Sequence, residues 1–132
     1  MSIEQLKAKF IIEEDVVNRR LESLLTKALQ HCAVDKKGTV HINDTRMGGL
    51  SKLKLVLAAR YLASQLDNAI SASVTSTEIA QSSGLPAGQV RARAKDAVGE
   101  KFAESVGRGV FRAMPHKIEL FLDSLNRDDT SD

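Results

Sequence analysis

The side chains able to do covalent or metal chemistry are few and scattered in this sequence. Its histidines, His31, His41 and His116, fall on three different predicted elements. Cys32 is the one cysteine and adjoins His31, but neighbours on a helix point to different faces, which is not metal-ligand spacing. Glu13, Glu14 and Asp15 are consecutive and diverge around a helix, as a solvated face would. Gly48-Gly49 precedes a helix but lacks the Lys-Ser/Thr of a phosphate loop, and Gly107-Arg108-Gly109 lacks both the pattern and the following helix. These patterns imply no catalytic residue, no cofactor, no metal and no small-molecule ligand, so an enzyme is not expected. The chemistry left is that of cations. Arg91, Arg93, Lys95, Lys101, Arg108 and Arg112 crowd into 22 residues and could neutralise phosphate. The plainer reading is that they keep a small domain soluble.

Charge distribution favours the first reading. The 132 residues carry a formal net charge of only +2. Residues 1–33 hold five basic and five acidic side chains, residues 34–114 hold twelve and seven, and residues 115–132 hold two and five. The positive excess coincides with the cation cluster, and an acidic tail hides it in the total. Aromatic content is 4%, so the core must be aliphatic, which favours helices. A single cysteine and an N-terminus with scattered charges are expected of a cytoplasmic protein without a signal peptide. No apolar run is long enough to cross a membrane: the most apolar, residues 53–66, is broken by Lys54, Arg60 and Gln65.

The elements that must position the cations begin at Thr75. Thr75 and Glu78 have the spacing of a capping box, and Ile79 and Ala80 give the short helix that follows an apolar face. Gly84 suits a left-handed helix end, and Pro86 the first turn of a second helix. Val90, Ala94 and Ala97 then recur at helical steps. With those three inward, Gly88, Ala92 and Lys95 point outward, Gln89 and Asp96 flank them, and Arg91 and Arg93 lie toward the edges. Residues 102–106 and 110–114 are β-prone runs around a glycine turn, a hairpin signal.

The spacing of Ala80, Gly84 and Val90, with the capping box and the hairpin, resembles the winged helix-turn-helix family. The resemblance covers residues 51–113. It implies a mainly α fold with a small β-hairpin wing, a recognition helix and double-stranded DNA as partner. On that resemblance the DNA-contacting residues are Gln89, Arg91, Ala92, Arg93, Lys95, Arg108 and Arg112. Gln89 would pair with adenine, Lys95 with guanine or phosphate, and Arg91 and Arg93 with phosphates. Arg108 would sit at the wing tip, with Arg112 on the same hairpin. Asp96, Glu100 and Glu104 lie nearby and would repel phosphate.

Outside that unit, residues 2–32 read as one long helix, with a possible break near Glu13–Asp15. Residues 35–38 form a turn, 39–42 a short strand and 43–49 a loop. Ser51 caps a helix to Leu66 that is apolar nearly all round and therefore central. Pro115 opens a final helix with Ile118, Phe121, Leu122 and Leu125 on one face, and residues 126–132 fray. The expected organisation is an N-terminal helical arm (1–33), a winged helix-turn-helix domain (34–114), and a C-terminal helix with acidic tail (115–132). The arm, with Leu21 and Leu24 on its stripe, is expected to form a homodimer with help from the last helix; the other reading is that it folds back on its own domain as two helices. The expected function is a dimeric, DNA-binding transcription regulator. The alternative is a winged-helix protein-interaction module that does not touch DNA.

Overall fold

The computed structural model describes residues 1–11, 14–44 and 46–130. Its elements are α1 (Ile3–Phe10), α2 (Glu14–Leu29), β1 (Cys32–Val34), β2 (Val40–Ile42), α3 (Gly49–Leu66) and β3 (Val74–Thr75). They are followed by α4 (Ser76–Ser83), α5 (Ala87–Gly99), β4 (Ala103–Gly107), β5 (Val110–Ala113) and α6 (Pro115–Thr130). The fold is mainly helical, with two small antiparallel sheets, β1-β2 and β3-β5-β4.

Helix α3 is central because its sequence leaves it no polar side. Leu53, Leu55, Val56, Leu57, Ala58, Ala59 and Leu62 are all buried, and α2, α4, α5, α6 and strand β5 pack around them. Helix α6 buries Ile118, Phe121, Leu122 and Leu125, as its apolar stripe requires. Phe121 meets Phe102 edge-on, with centroids 5.3 Å apart.

The N-terminal region departs from the reading as one long helix and follows in part the alternative of two helices folded back on the domain. It holds two helices, α1 and α2, rather than one to Cys32. The break expected near Glu13–Asp15 overlaps residues 12 and 13, which lie outside the described residues; Asp15 itself is within α2. Cys32 pairs as a strand residue with Ile42, because Asn43 N–H donates to the His31 carbonyl and draws the chain into a hairpin. Helix α2 does not stand free. Leu21, Leu24 and Leu25 pack on the chain's own core, and Lys27 pairs with Glu119 and Asp123 of α6. The buried His31 ring lies 2.9 Å from Asn126 of α6. Among the described residues, those of α1 include none that is buried.

Smaller corrections concern element starts. Helix α3 begins at Gly49, capped by the extended backbone of Gly48, so Ser51 is already inside it. Pro86 is the extended residue before α5 rather than part of its first turn. Helix α6 stays regular to Thr130, and residues 131 and 132, the rest of the tail expected to fray, lie outside the described residues.

Among the described residues, one Arg, Lys, Asp or Glu side chain sits in this core. Arg60 of α3 is 4% exposed. Its guanidinium donates to the carbonyls of Gly38, Ser71 and Ser73 and to Glu78 Oε2 at 2.7 Å. Glu78 Oε1 accepts from the Thr75 N–H, 3.1 Å away, closing the capping box of α4. Partial burial pushes the Glu78 carboxyl up. The hydrogen bonds from Arg60 and Thr75 and the Arg60 charge together outweigh that and hold it below its ordinary value of 4.5.

A folded-state value below the unfolded one means that the native protein binds fewer protons, so this contribution is full above pH 4.5 and is lost as pH falls through the lowered value. Glu78→Ala would leave Arg60 charged and buried with three carbonyls. Because the Glu78 side chain is 37% exposed, the expected cost is the low end for breaking a buried pair, about 3 kcal/mol in urea unfolding at neutral pH. Glu78→Gln should flatten the acid limb of the stability curve, and an unchanged acid limb in that variant would contradict the assignment.

Candidate nucleic-acid interface

Helices α4 and α5 are set by backbone rules legible in the residues. Thr75 Oγ1 accepts from the Glu78 N–H at 3.1 Å, and Gly84 ends α4 at φ 75° with its N–H on the Ala80 carbonyl. Ser83 Oγ accepts from the Leu85 N–H and donates to the Ile79 carbonyl, bridging the turn. Val90, Ala94 and Ala97 face inward, with exposures of 0, 1 and 0%.

The β4-β5 hairpin is held against α4 at its turn. Ser76, the first residue of α4, donates its N–H (2.9 Å) and its hydroxyl (3.2 Å) to the carbonyl of Gly109. A Cβ at Gly109 would stand 3.4 Å from that hydroxyl, and the residue has φ +68°, so glycine fits there on both counts. Strand β3 adds the pairs Val74↔Phe111 and Thr75↔Val110.

Between α5 and the hairpin lies an open groove of about 520 Å³, lined by Ser76, Arg91, Lys95, Val98, Ser105, Arg108, Gly109 and Phe111. Arg91 and Lys95 reach it from one edge of α5, and Arg108 from the hairpin turn. All three are exposed and make no ion pair or side-chain hydrogen bond among the described residues. Arg91 also borders a second depression, beside Ser76, Thr77, Ala80 and Ala87. No carboxylate lines either one.

The other residues singled out in the sequence lie elsewhere. Gln89 and Ala92 are exposed on α5, and the position of a Gly88 Cβ meets open space, so the outward face is smooth. Arg93 is half-buried on the far edge of α5, its stem beside Gly49 and its guanidinium 3.3 Å from Asp96. Arg112 is paired with Glu104 across the hairpin. Strand alternation explains its place: Ser105 and Phe111 face the groove, so Glu104 and Arg112 face away. The structure therefore does not bring Arg93 or Arg112 to the groove. Each nearby acid is also engaged: Asp96 with Arg93, Glu104 with Arg112, and Glu100 with Lys54 at 2.5 Å. Sequence reasoning missed Ser76, Ser105 and Phe111 as lining residues. The period-2 pattern of the strands was the signal that could have found the last two.

Among the described residues no group of three or more His, Cys, Asp or Glu side chains is placed to hold a metal ion. His41 pairs with Asp35 on the β1-β2 turn, and burial pushes the Cys32 thiol up to about 11. No helix among the described residues is long and apolar enough to cross a membrane. Compared with protein families, curated proteins and solved structures, the chain matches none.

Helix α5 ends at Gly99 with Glu100 as its C-cap, and Lys101, the next residue, takes φ 63°, the left-handed region, without being glycine. Its N–H bonds the Val98 carbonyl and the Phe102 N–H bonds the Ala97 carbonyl, a Schellman closure that aims the chain into β4. The left-handed conformation costs a side-chain-bearing residue about 1–2 kcal/mol. Lys101→Gly should accordingly stabilise the protein by about 1 kcal/mol, after the extra chain entropy of glycine is deducted. A fall in thermal midpoint would show that the lysine side chain makes a compensating contact.

Proposed function

We propose that this protein is a winged helix-turn-helix protein that binds double-stranded DNA and regulates transcription. Helix α5 is the recognition helix and the β4-β5 hairpin the wing. The observation that carries the reading is the convergence of Arg91, Lys95 and Arg108 in one groove with no acid in its lining. The succession α3, β3, α4, α5, β4, β5 with strand order β3-β5-β4 supports the winged arrangement. Helix α5, 13 residues and about 20 Å long, suits a major groove about 12 Å wide.

In this reading the cations divide into two groups. Arg91, Lys95 and Arg108 meet phosphates along the groove between helix and wing. Gln89 and the smooth surface of Gly88 and Ala92 face base edges. Arg93 and Arg112 organise their neighbours, keeping Asp96 and Glu104 neutralised at the margins. A two-fold dimer would present two such units to half-sites about one helical turn apart. Neither an enzyme activity nor a cofactor is part of this reading, and a cytoplasmic location suits it.

Binding to random duplex DNA should fall with salt. Three phosphate contacts predict a slope of log affinity against log salt near −2.7, at roughly 0.9 per contact. Arg91→Ala, Lys95→Ala and Arg108→Ala should each reduce the slope by about 1, whereas Arg112→Ala should leave it nearly unchanged. Absence of binding at low salt would instead favour a winged-helix module that recognises protein.

A further inference from the structure

The groove between α5 and the hairpin is cationic where it is exposed and apolar where it is not. Arg91 and Lys95 stand one helical turn apart on α5, about 6 Å along its axis, and Arg108 stands on the hairpin turn. The half-buried part of the lining is Val98 and Phe111, at the edge of the core. Phe102 and Phe121 turn their rings to one another. Phe111 differs: among the described residues no ring stacks on it and no cation stands over it.

A duplex alone leaves that apolar surface unused. Its rim is phosphate and sugar, which suit cations and hydroxyls. Its paired bases are stacked on each other and show a protein only their edges. Neither presents a flat face to Phe111. An unpaired base does, since every base has a π-face, and its flanking phosphates then fall to the cations around it.

We propose that this groove holds an unpaired segment of a DNA strand, with a base against Phe111 and flanking phosphates on Arg91, Lys95 and Arg108. The inference rests on the DNA-binding reading and narrows its ligand to a duplex that carries an unpaired strand. The duplex lies on the outward face of α5, and the unpaired strand runs through the groove. Continuity selects a strand over a free nucleotide. The groove is open and does not end at Arg91: a second depression, of about 410 Å³, adjoins it and shares Ser76 and Arg91. Neither lining contains a carboxylate, so phosphates meet no repulsion along the run. The ring is also held in advance. Phe111 lies on the central strand of its sheet, paired with Val74 on one side and Ser105 on the other. Little ordering is then required when a base arrives.

The test titrates the full chain into two labelled DNAs, a blunt duplex and the same duplex with a single-stranded oligothymidine tail. The tailed duplex should bind about tenfold more tightly at equal salt, the worth of one stacked base. Phe111→Leu should bring that ratio close to one, and Phe111→Tyr should keep it. A Phe111 that served only the core would give the opposite result, a lower thermal midpoint in Phe111→Leu with the ratio unaltered. The chain has no tryptophan, so Phe111→Trp supplies a single reporter. Oligothymidine should quench its fluorescence, and the blunt duplex should not. Equal affinity for the two DNAs, a ratio that survives Phe111→Leu, or a reporter that oligothymidine leaves unmoved would each overturn the proposal. Quenching by thymidine monophosphate as strong as by oligothymidine at equal nucleotide concentration would overturn it too, in favour of a free-nucleotide site. Salt-dependent binding to the blunt duplex with no preference for the tail would sink this inference alone, whereas no binding to either DNA would remove the DNA reading with it.

Discussion

The fold depends on one buried cation. Arg60 emerges from an otherwise aliphatic helix and is enclosed by three backbone carbonyls and one carboxylate. Those partners come from the β1-β2 turn, from the connection after α3 and from the cap of α4. A buried charge tolerates no vacancy among its partners, since its desolvation is met only when the whole cage is in place. The same guanidinium restricts the β1-β2 turn. A Cβ at Gly38 would lie 3.1 Å from Arg60 Cζ, and φ there is +91°. Gly38 is thus the turn residue and also one wall of the cage.

From that cage the position of the groove follows through a chain of hydrogen bonds. Glu78 is shared between Arg60 and Thr75, so the start of α4 is tied to α3. Ser76 stands next to Thr75 and holds the Gly109 carbonyl with two donors. Gly109 in turn follows Arg108. The cation at the hairpin turn is therefore three links from the core arginine. At the other side, Arg91 and Lys95 follow from the burial of Val90, Ala94 and Ala97. Long side chains can hold a phosphate spacing only if the backbone beneath them is fixed, and here both supports are fixed to α3.

Much of this was legible in the residues, where local rules act over three or four positions. The capping box at Thr75, the left-handed Gly84, the glycine hairpin and the apolar α3 all came out as the patterns imply. The stripe Ile118, Phe121, Leu122 and Leu125 did too. What stayed hidden was non-local. Strand β1 exists only through its pairing with β2, and Cys32-Ala33-Val34 continues a helical apolar pattern from Ala28. The engagement of Leu21 and Leu24 depends on α6 returning across α2. Arg60 looked like an interruption of an apolar run, because its four partners lie 11 to 22 residues away. For the site, sequence identified the cations but not which of them face one another.

That last difference decides how charge should be read in a small domain. A net charge of +2 predicts little attraction for a polyanion, and three acids near α5 weaken the expectation further. Both arguments treat charges as if they were spread evenly. In the structure Asp96, Glu100 and Glu104 are each joined to a cation, Arg93, Lys54 and Arg112, outside the groove lining. Each such pair is nearly neutral beyond a Debye length, about 8 Å at physiological salt. Arg91, Lys95 and Arg108 remain uncompensated at close range, and a ligand in the groove would meet them first. The field at a site is set by which charges are left over after local pairing. Here the acids take up the cations that the groove does not use, and so concentrate the positive potential in it.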